Sequence, residues 1–86
     1  MVRMLDFAFS TSDEITAELG LRLKAVRLSQ SLTQADLAER AGVSVGTVKS
    51  LERTGQSSVA SLVRVVQALG LTDQLQSLFV LKVQSI

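Results

Sequence analysis

Residues 32–52 have the sequence LTQADLAERAGVSVGTVKSLE, a pattern that predicts two short helices joined by one tight turn. Thr33 is a good N-cap residue, and Asp36 follows three positions later, as in a capping box. Gly42 stands where a helix is expected to end in a left-handed turn residue. Ser44 then caps the second helix of the pair.

The second of these helices has an outward face of small and polar residues. Val48 and Leu51 face inward. The outward positions are Val45, Gly46, Thr47, Lys49, Ser50 and Arg53. A short helix held clear of its own domain suits the major groove of B-DNA, which admits one α-helix and shows a distinct pattern for each base pair. Lys49 can reach guanine or a phosphate, serine and threonine can bond to bases or phosphates, and Val45 can touch a thymine methyl group.

The starts of the two helices are also predicted to contact DNA. Free backbone N–H groups at a helix N-terminus bind phosphate, and Thr33, Gln34 and Ser44 lie at such positions. The alternatives stay open at this stage. Thr33 and Ser44 serve first as caps, and Lys49 and Arg53 could form an ordinary solvated face.

Three further apolar patterns predict helices around the central pair. Thr11 and Glu14 form a capping box before the first helix, whose apolar positions are Ile15, Leu19, Leu23 and Val26. Ser58 caps a fourth helix that Gly70 ends, with buried positions Leu62, Val65, Val66 and Leu69. Thr72 opens a fifth helix, which carries Leu75, Leu78 and Phe79 as core or dimer-interface residues. The predicted fold class is therefore all-α, with five helices.

Tails are predicted at residues 1–12 and 81–86, on either side of a domain at 13–80. The N-terminal tail alternates as a β-strand would, at Leu5, Phe7 and Phe9. Residues 80–86 are β-branched and short. Because a single exposed strand is not stable in water, either tail needs strand pairing across a dimer or docking on the helices.

Composition limits the possible functions. The chain has 86 residues, of which 47% are hydrophobic, so one small domain is expected. Because domains of this size are often only marginally stable alone, dimerisation could contribute to the stability. It contains no cysteine and no histidine, which removes the commonest metal ligands and the commonest general base. We predict no enzyme activity, no metal and no cofactor. The formal net charge is only +1, which argues against strong non-specific DNA binding. It argues less against a sequence-specific DNA-binding protein that uses a few well-placed contacts.

The sequence also bears on location. No apolar run approaches the roughly 18 residues of a membrane span. The N-terminus shows no basic region followed by a clean apolar stretch, so no signal peptide is expected. The sequence predicts a cytoplasmic protein without a membrane segment.

Residues from about 18 to 71 resemble the phage-repressor, or Xre, type of helix-turn-helix domain (lambda-repressor-like). The residues that carry the resemblance are Leu19-Gly20, Leu23-Lys24, Val26-Arg27, Leu32-Thr33-Gln34, Leu37-Ala38, Ala41-Gly42-Val43-Ser44, Thr47-Val48, Leu51-Glu52 and Ala68-Leu69-Gly70-Leu71. In that family the second helix of the motif, the recognition helix, lies in the major groove.

The resemblance implies a role for several single residues. Base readout is implied for Val45, Gly46, Lys49 and Ser50. Gln34 matches a glutamine that contacts a phosphate and helps to set the recognition helix. Arg27 and Glu52 match a partly buried ion pair that joins the first and third helices.

The chain departs from the family pattern at two places. After Glu52 the run Arg-Thr-Gly-Gln-Ser-Ser has one more residue before glycine and no proline, which puts the phosphate contacts of that loop in doubt. Gly46 stands where longer polar residues are common. Readout could therefore depend on DNA shape, on Lys49 and Ser50, or on close backbone approach.

Three functions fit these observations. The resemblance implies a sequence-specific, autoregulatory transcriptional repressor, a homodimer whose recognition helices lie roughly 34 Å apart on a palindromic operator of double-stranded DNA. Residues 51–55 and 68–71 are also similar to HipB-like antitoxins, which repress their operon and bind a kinase-fold toxin. The third is a protein-interaction module without DNA binding, favoured by the small uncharged tip at Val45-Gly46 and by the low net charge.

Overall fold

A computed structural model describes residues 5–83 of the chain. Within this range the backbone forms a 3-10 turn, Phe7–Phe9, followed by α1 (Ser12–Ser29), α2 (Gln34–Ala41), α3 (Val45–Thr54), α4 (Val59–Ala68) and α5 (Thr72–Gln76). No residue from 5 to 83 is in a strand. The predicted all-α fold with five helices, of the phage-repressor type, is confirmed.

Side-chain caps fix where the helices begin. The hydroxyl of Thr11 accepts from the backbone N–H of Glu14 at 3.1 Å, and the Glu14 carboxylate accepts from the N–H of Thr11 at 2.9 Å. α1 therefore starts at Ser12 with a complete capping box. Ser58 caps α4 by accepting from the N–H of Ser61 at 3.0 Å.

The core lies where α1, α2, α3 and α4 meet. Leu37, Val48 and Val65, one each from α2, α3 and α4, have essentially no exposed surface. The whole cluster comprises Leu23, Leu32, Leu37, Ala38, Ala41, Val48, Leu51, Val65, Val66 and Leu69. Leu19 was predicted to share the apolar face of α1, but its side chain is 40% exposed, because the adjacent Gly20 is the residue that meets α3.

Of the two alternatives for the N-terminal tail, a strand is not formed over residues 5–9, and docking on the helices is seen at Phe7. The Asp6 carboxylate accepts from the N–H of Ala8 at 3.0 Å and caps a 3-10 turn instead. Phe7 is half-buried, with the guanidinium carbon of Arg22 4.9 Å from its ring centroid. Local capping and this cation–π contact thus replace the partner that a strand would need. Residues 1–4 of the predicted tail lie outside the described range.

The fifth helix is shorter than predicted. It ends at Gln76, and Phe79 follows with a left-handed φ of 60°. Leu75 packs against the core, but Leu78 is 51% exposed and Phe79 is 93% exposed, so a core position for these two is wrong. Residues 80–83 have no regular structure, and the remainder of the predicted C-terminal tail, 84–86, is outside the described range.

Across residues 5–83, none of the helices combines the length and the apolar character that crossing a membrane requires.

Candidate nucleic-acid interface

α3 is held in the domain by one face. Val48 is fully buried and Leu51 is 3% exposed, and both belong to the core. α1 lies close against α3 because Gly20 has no side chain. A Cβ at this position would fall on the carbonyl oxygen of Leu51 and would lie 3.1 Å from that of Glu52. The opposite face of α3 is left without a packing partner.

The turn between α2 and α3 sets the angle of α3. Gly42 ends α2 with φ at 69°, a conformation that glycine adopts without strain. The N–H of Val43 donates to the carbonyl oxygen of Ala38 at 3.0 Å, and its side chain packs against the core. The chain therefore reverses within a few residues, and α2 buttresses α3.

Thr33 and Ser44 cap α2 and α3, as the sequence predicts. The hydroxyl of Thr33 accepts from the N–H of Asp36 at 3.0 Å, and the hydroxyl of Ser44 accepts from the N–H of Thr47, also at 3.0 Å. The backbone N–H of Thr33 donates to Asp36 in return, and these hydrogen bonds lower the pKa of the Asp36 carboxyl. Both caps therefore fix the residues at which α2 and α3 begin.

The outward face of α3 is close to the predicted one. Gly46, Lys49 and Arg53 are exposed, and Val45 is 38% exposed. Thr47 and Ser50 are half-buried. Gly46, Lys49, Ser50 and Arg53 line one groove on this side of α3, whereas Val45 and Thr47 are not part of that lining.

A buried polar network joins α1, α2 and α3. Arg27 of α1 donates to both carboxylate oxygens of Glu52, from Nε at 2.6 Å and from Nη2 at 3.0 Å. Its Nη1 donates to the carbonyl oxygen of Leu32 at 2.7 Å. Gln34, the first residue of α2, donates from Nε2 to Oε1 of Glu52 at 3.1 Å. The predicted pair is therefore bidentate, and Gln34 is tied to α3 through Glu52.

The charge state of Glu52 follows from this network. Burial disfavours the ionised carboxylate, but the hydrogen bonds from Arg27 and Gln34 and the charges of Arg27 and Lys24 outweigh it. The pKa of Glu52 is therefore lowered from its ordinary value of 4.5. The hydrogen bonds to Glu52 likewise raise the pKa of Arg27. Both groups are ionised near neutral pH. The negative charge of the Glu52 carboxylate is balanced by the Arg27 guanidinium within the domain.

A groove of about 600 Å³ opens between α1, the start of α2 and the outward face of α3. Its lining residues are Leu21, Lys24, Gln34, Gly46, Lys49, Ser50, Glu52 and Arg53. Lys24, Lys49 and Arg53 bring cationic groups from two helices to this groove, whereas Glu52 is paired with Arg27. The groove can therefore attract an anionic ligand.

The sequence prediction of the site omitted the contribution of α1. Lys24 and Leu21 line the groove together with α3. A pattern in the sequence could have found them, because Leu21, Lys24 and Arg27 follow one another at intervals of three residues. Residues at this spacing share one face of a helix, and Arg27 was already expected to point at α3.

Comparisons with known proteins place this geometry in a family. A search of curated proteins finds no match to the chain. The family model described as a helix-turn-helix domain matches residues 18–79, which include all of α2, α3, α4 and α5. The match also covers the groove and most of α1. The chain therefore belongs to the helix-turn-helix domain family.

Proposed function

We propose that this protein is a sequence-specific DNA-binding transcriptional repressor that inserts α3 into the major groove. The observation that carries the proposal is the two-sided character of α3. One face is locked into the core by Val48 and Leu51, while Lys49, Arg53 and their neighbours face outward. A helix presented in this way matches the geometry by which helix-turn-helix proteins reach base edges.

The distribution of charge supports the same function. The groove beside α3 carries Lys24, Lys49 and Arg53, although the formal net charge of the chain is only +1. A few placed cations position a protein on the phosphate backbone, and base contacts then supply specificity. The N-termini of α2 and α3, with Thr33, Gln34 and Ser44, offer further phosphate contacts.

The test is a binding titration on DNA. Fluorescence anisotropy would compare the DNA upstream of the protein's own coding sequence with a scrambled duplex of equal length and composition. Autoregulation predicts tighter binding to the upstream DNA, with affinity falling as salt rises because cations on the protein displace counterions. Equal binding to both duplexes would contradict sequence-specific repression. Absence of binding to either would favour a protein-interaction module.

Replacing Lys49 with alanine is expected to weaken operator binding about tenfold or more, as the loss of a base or phosphate contact does. Its side chain is exposed on α3, so the helical circular dichroism should not change. Arg40→Ala is the matched control. Arg40 is an exposed cation in the last turn of α2, whereas Gln34 is the first residue of that helix. Arg40 does not line the groove. Equal affinities of the two variants would show that Lys49 is only a solvated charge.

A homodimer is the second part of the proposal. Beyond α5, a short segment exposes Leu78, Phe79, Val80, Leu81 and Val83, each more than half accessible. Soluble monomers rarely expose contiguous apolar side chains in this way. A second copy of the chain that covered this segment would place two α3 helices on a palindromic operator.

The double variant Phe79→Ser/Leu81→Ser is expected to be monomeric at concentrations where the parent protein is dimeric, because it removes two large apolar side chains that are 93% and 83% exposed. Sedimentation equilibrium measures this directly, and affinity for a palindromic site should fall in parallel. Phe9→Ser is the control, since Phe9 is 89% exposed but lies in the N-terminal turn. A double variant that still sediments as a dimer would place the interface elsewhere.

The same exposed segment supports an alternative in which the protein is an antitoxin. A HipB-like antitoxin would repress its operon through α3 and use another surface to bind a kinase-fold toxin. Co-purification of the tagged protein expressed from its native operon would recover the toxin in stoichiometric amount. Recovery of the protein without a second chain would argue against this alternative and leave the repressor.

A further inference from the structure

The hydroxyl groups on the reading side of α3 already have partners within the protein. The hydroxyl oxygen of Ser44 accepts from the N–H of Thr47 and lies 2.8 Å from the hydroxyl oxygen of Thr47. The hydroxyl of Ser50 donates to the carbonyl oxygen of Gln56 at 3.2 Å. These contacts shape the first turns of α3, and they reduce the capacity of this surface to read bases by hydrogen bonds.

Val45 is the apolar side chain that remains exposed on this surface, beside the charged Lys49 and Arg53. It is the first residue of α3, it is 38% exposed, and it does not belong to the core cluster. A β-branched apolar side chain gains nothing from water at this position. Its shape and chemistry suit an apolar group on the ligand rather than a base donor or acceptor.

Gly46, the next residue, has no role inside the protein that requires glycine. Its φ is not in the left-handed region, and a Cβ built on it would meet only the Ser44 hydroxyl oxygen, at 3.8 Å. Glycine within a helix lowers helix stability relative to alanine. The absence of a side chain here leaves space on the outside, beside Val45, where another molecule can approach the backbone of α3.

We propose that the tip of α3 recognises thymine through its C5-methyl group, with Val45 in contact with the methyl and Gly46 admitting the base pair to that distance. Thymine is the base that presents a methyl group in the major groove, and apolar side chains recognise it there. The inference rests on the proposed function, since it assigns the base class that α3 reads.

The test uses the full-length protein and its own upstream duplex, with each thymine replaced in turn by deoxyuridine. Deoxyuridine pairs as thymine does but lacks the methyl group. At one thymine per half-site, the substitution is expected to weaken binding of the parent protein about fourfold, the factor that corresponds to one buried methyl group. Val45→Ser should bind the thymine duplex more weakly and should not respond to deoxyuridine at that position.

Gly46→Ala supplies a second variant that does not depend on Val45. The added methyl group fills the approach space and makes only an ordinary contact, at 3.8 Å, with the Ser44 hydroxyl oxygen, so helix content should be kept while affinity for the thymine duplex falls. The inference is overturned if no deoxyuridine affects the parent protein, or if Val45→Ser loses the same factor as the parent. If the parent protein does not prefer its upstream DNA over the scrambled duplex, the proposed sequence-specific repressor function is contradicted. That result differs from the two deoxyuridine outcomes that would overturn the inference about thymine.

Discussion

Replacing Glu52 with alanine is expected to lower the free energy of unfolding by about 3–5 kcal/mol, the usual cost of breaking a buried ion pair by removing one partner. The reason is the guanidinium that stays behind. Arg27 is 6% exposed, and both nitrogens that it points at Glu52 would lose their acceptors. Since the total free energy of unfolding of a small domain is about 5–15 kcal/mol, the variant should be partly unfolded at moderate temperature. Urea titration followed by circular dichroism measures the loss.

The double variant Arg27→Met/Glu52→Leu separates the charge effect from packing. Apolar replacements of similar volume often leave stability unchanged, so the double variant should be more stable than Glu52→Ala. It would still lose the hydrogen bond from Arg27 to the carbonyl oxygen of Leu32. A loss below about 1 kcal/mol in Glu52→Ala would mean that the pair behaves as an exposed one.

The same network predicts how stability changes with pH. The pKa of Glu52 is lower in the folded chain than its ordinary value of 4.5, so its contribution is complete above about pH 4.5 and is lost as the pH falls through the folded value. The parent protein should therefore lose stability on acidification below that pH. Glu52→Ala should lose less, with the remainder coming from Glu14 and Asp36, whose pKa values the cap hydrogen bonds also lower. Unfolding titrations at pH 7 and near pH 4 would show the difference.

The helices were predictable because their starts depend on local chemistry. Thr11, Thr33, Ser44 and Ser58 each cap a helix through a contact three residues away, and such contacts are visible as spacing in the sequence. The outward face of α3 was predictable for a similar reason. Once Val48 and Leu51 are assigned to the core, helical periodicity places the remaining side chains outside.

The termini were not predictable from periodicity. Phe7 and Phe9 alternate in the sequence, but the carboxylate of Asp6 caps a turn that alternation does not report. Leu78 and Phe79 continue the apolar pattern of α5, yet the helix ends at Gln76 and leaves them exposed. An apolar residue beyond the last helix can pack against a partner protein as readily as against the core. A single sequence does not distinguish these two positions.

The contact of α1 with α3 shows a second limit. Periodic patterns of apolar residues show where large side chains are buried. They do not show where two helices approach closely because one of them has a glycine at the contact. Gly20 and Gly55 both face backbone of the other helix, at Leu51 and Thr16. The groove lining from Leu21 and Lys24 depends on this approach, so the part of the site that α1 supplies was omitted.

Gly20→Ala is the second large effect, and its expected net cost is about 2 kcal/mol of folding free energy, the upper end of the overpacking cost less the gain in helix propensity. Alanine improves helix propensity by about 1 kcal/mol, but overpacking against a rigid neighbour costs about 1–3 kcal/mol and occasionally more. Here the neighbour is the carbonyl oxygen of Leu51, which cannot rotate away as a side chain would. α1 and α3 must separate, and the Arg27–Glu52 network that bridges them should loosen as well.

Gly46→Ala is the matched control, because it makes the same substitution at a helical glycine where the new Cβ would meet only the Ser44 hydroxyl oxygen, at an ordinary contact distance of 3.8 Å. It should raise stability by up to about 1 kcal/mol, whereas Gly20→Ala should lower it. Both variants are expected to weaken DNA binding, but for opposite reasons. Gly20→Ala displaces the recognition helix from its support, and Gly46→Ala obstructs the surface of a helix that is correctly placed. Thermal unfolding and DNA titration of the two proteins side by side would separate these causes, and a stabilised Gly20→Ala would show that α1 and α3 tolerate a wider spacing.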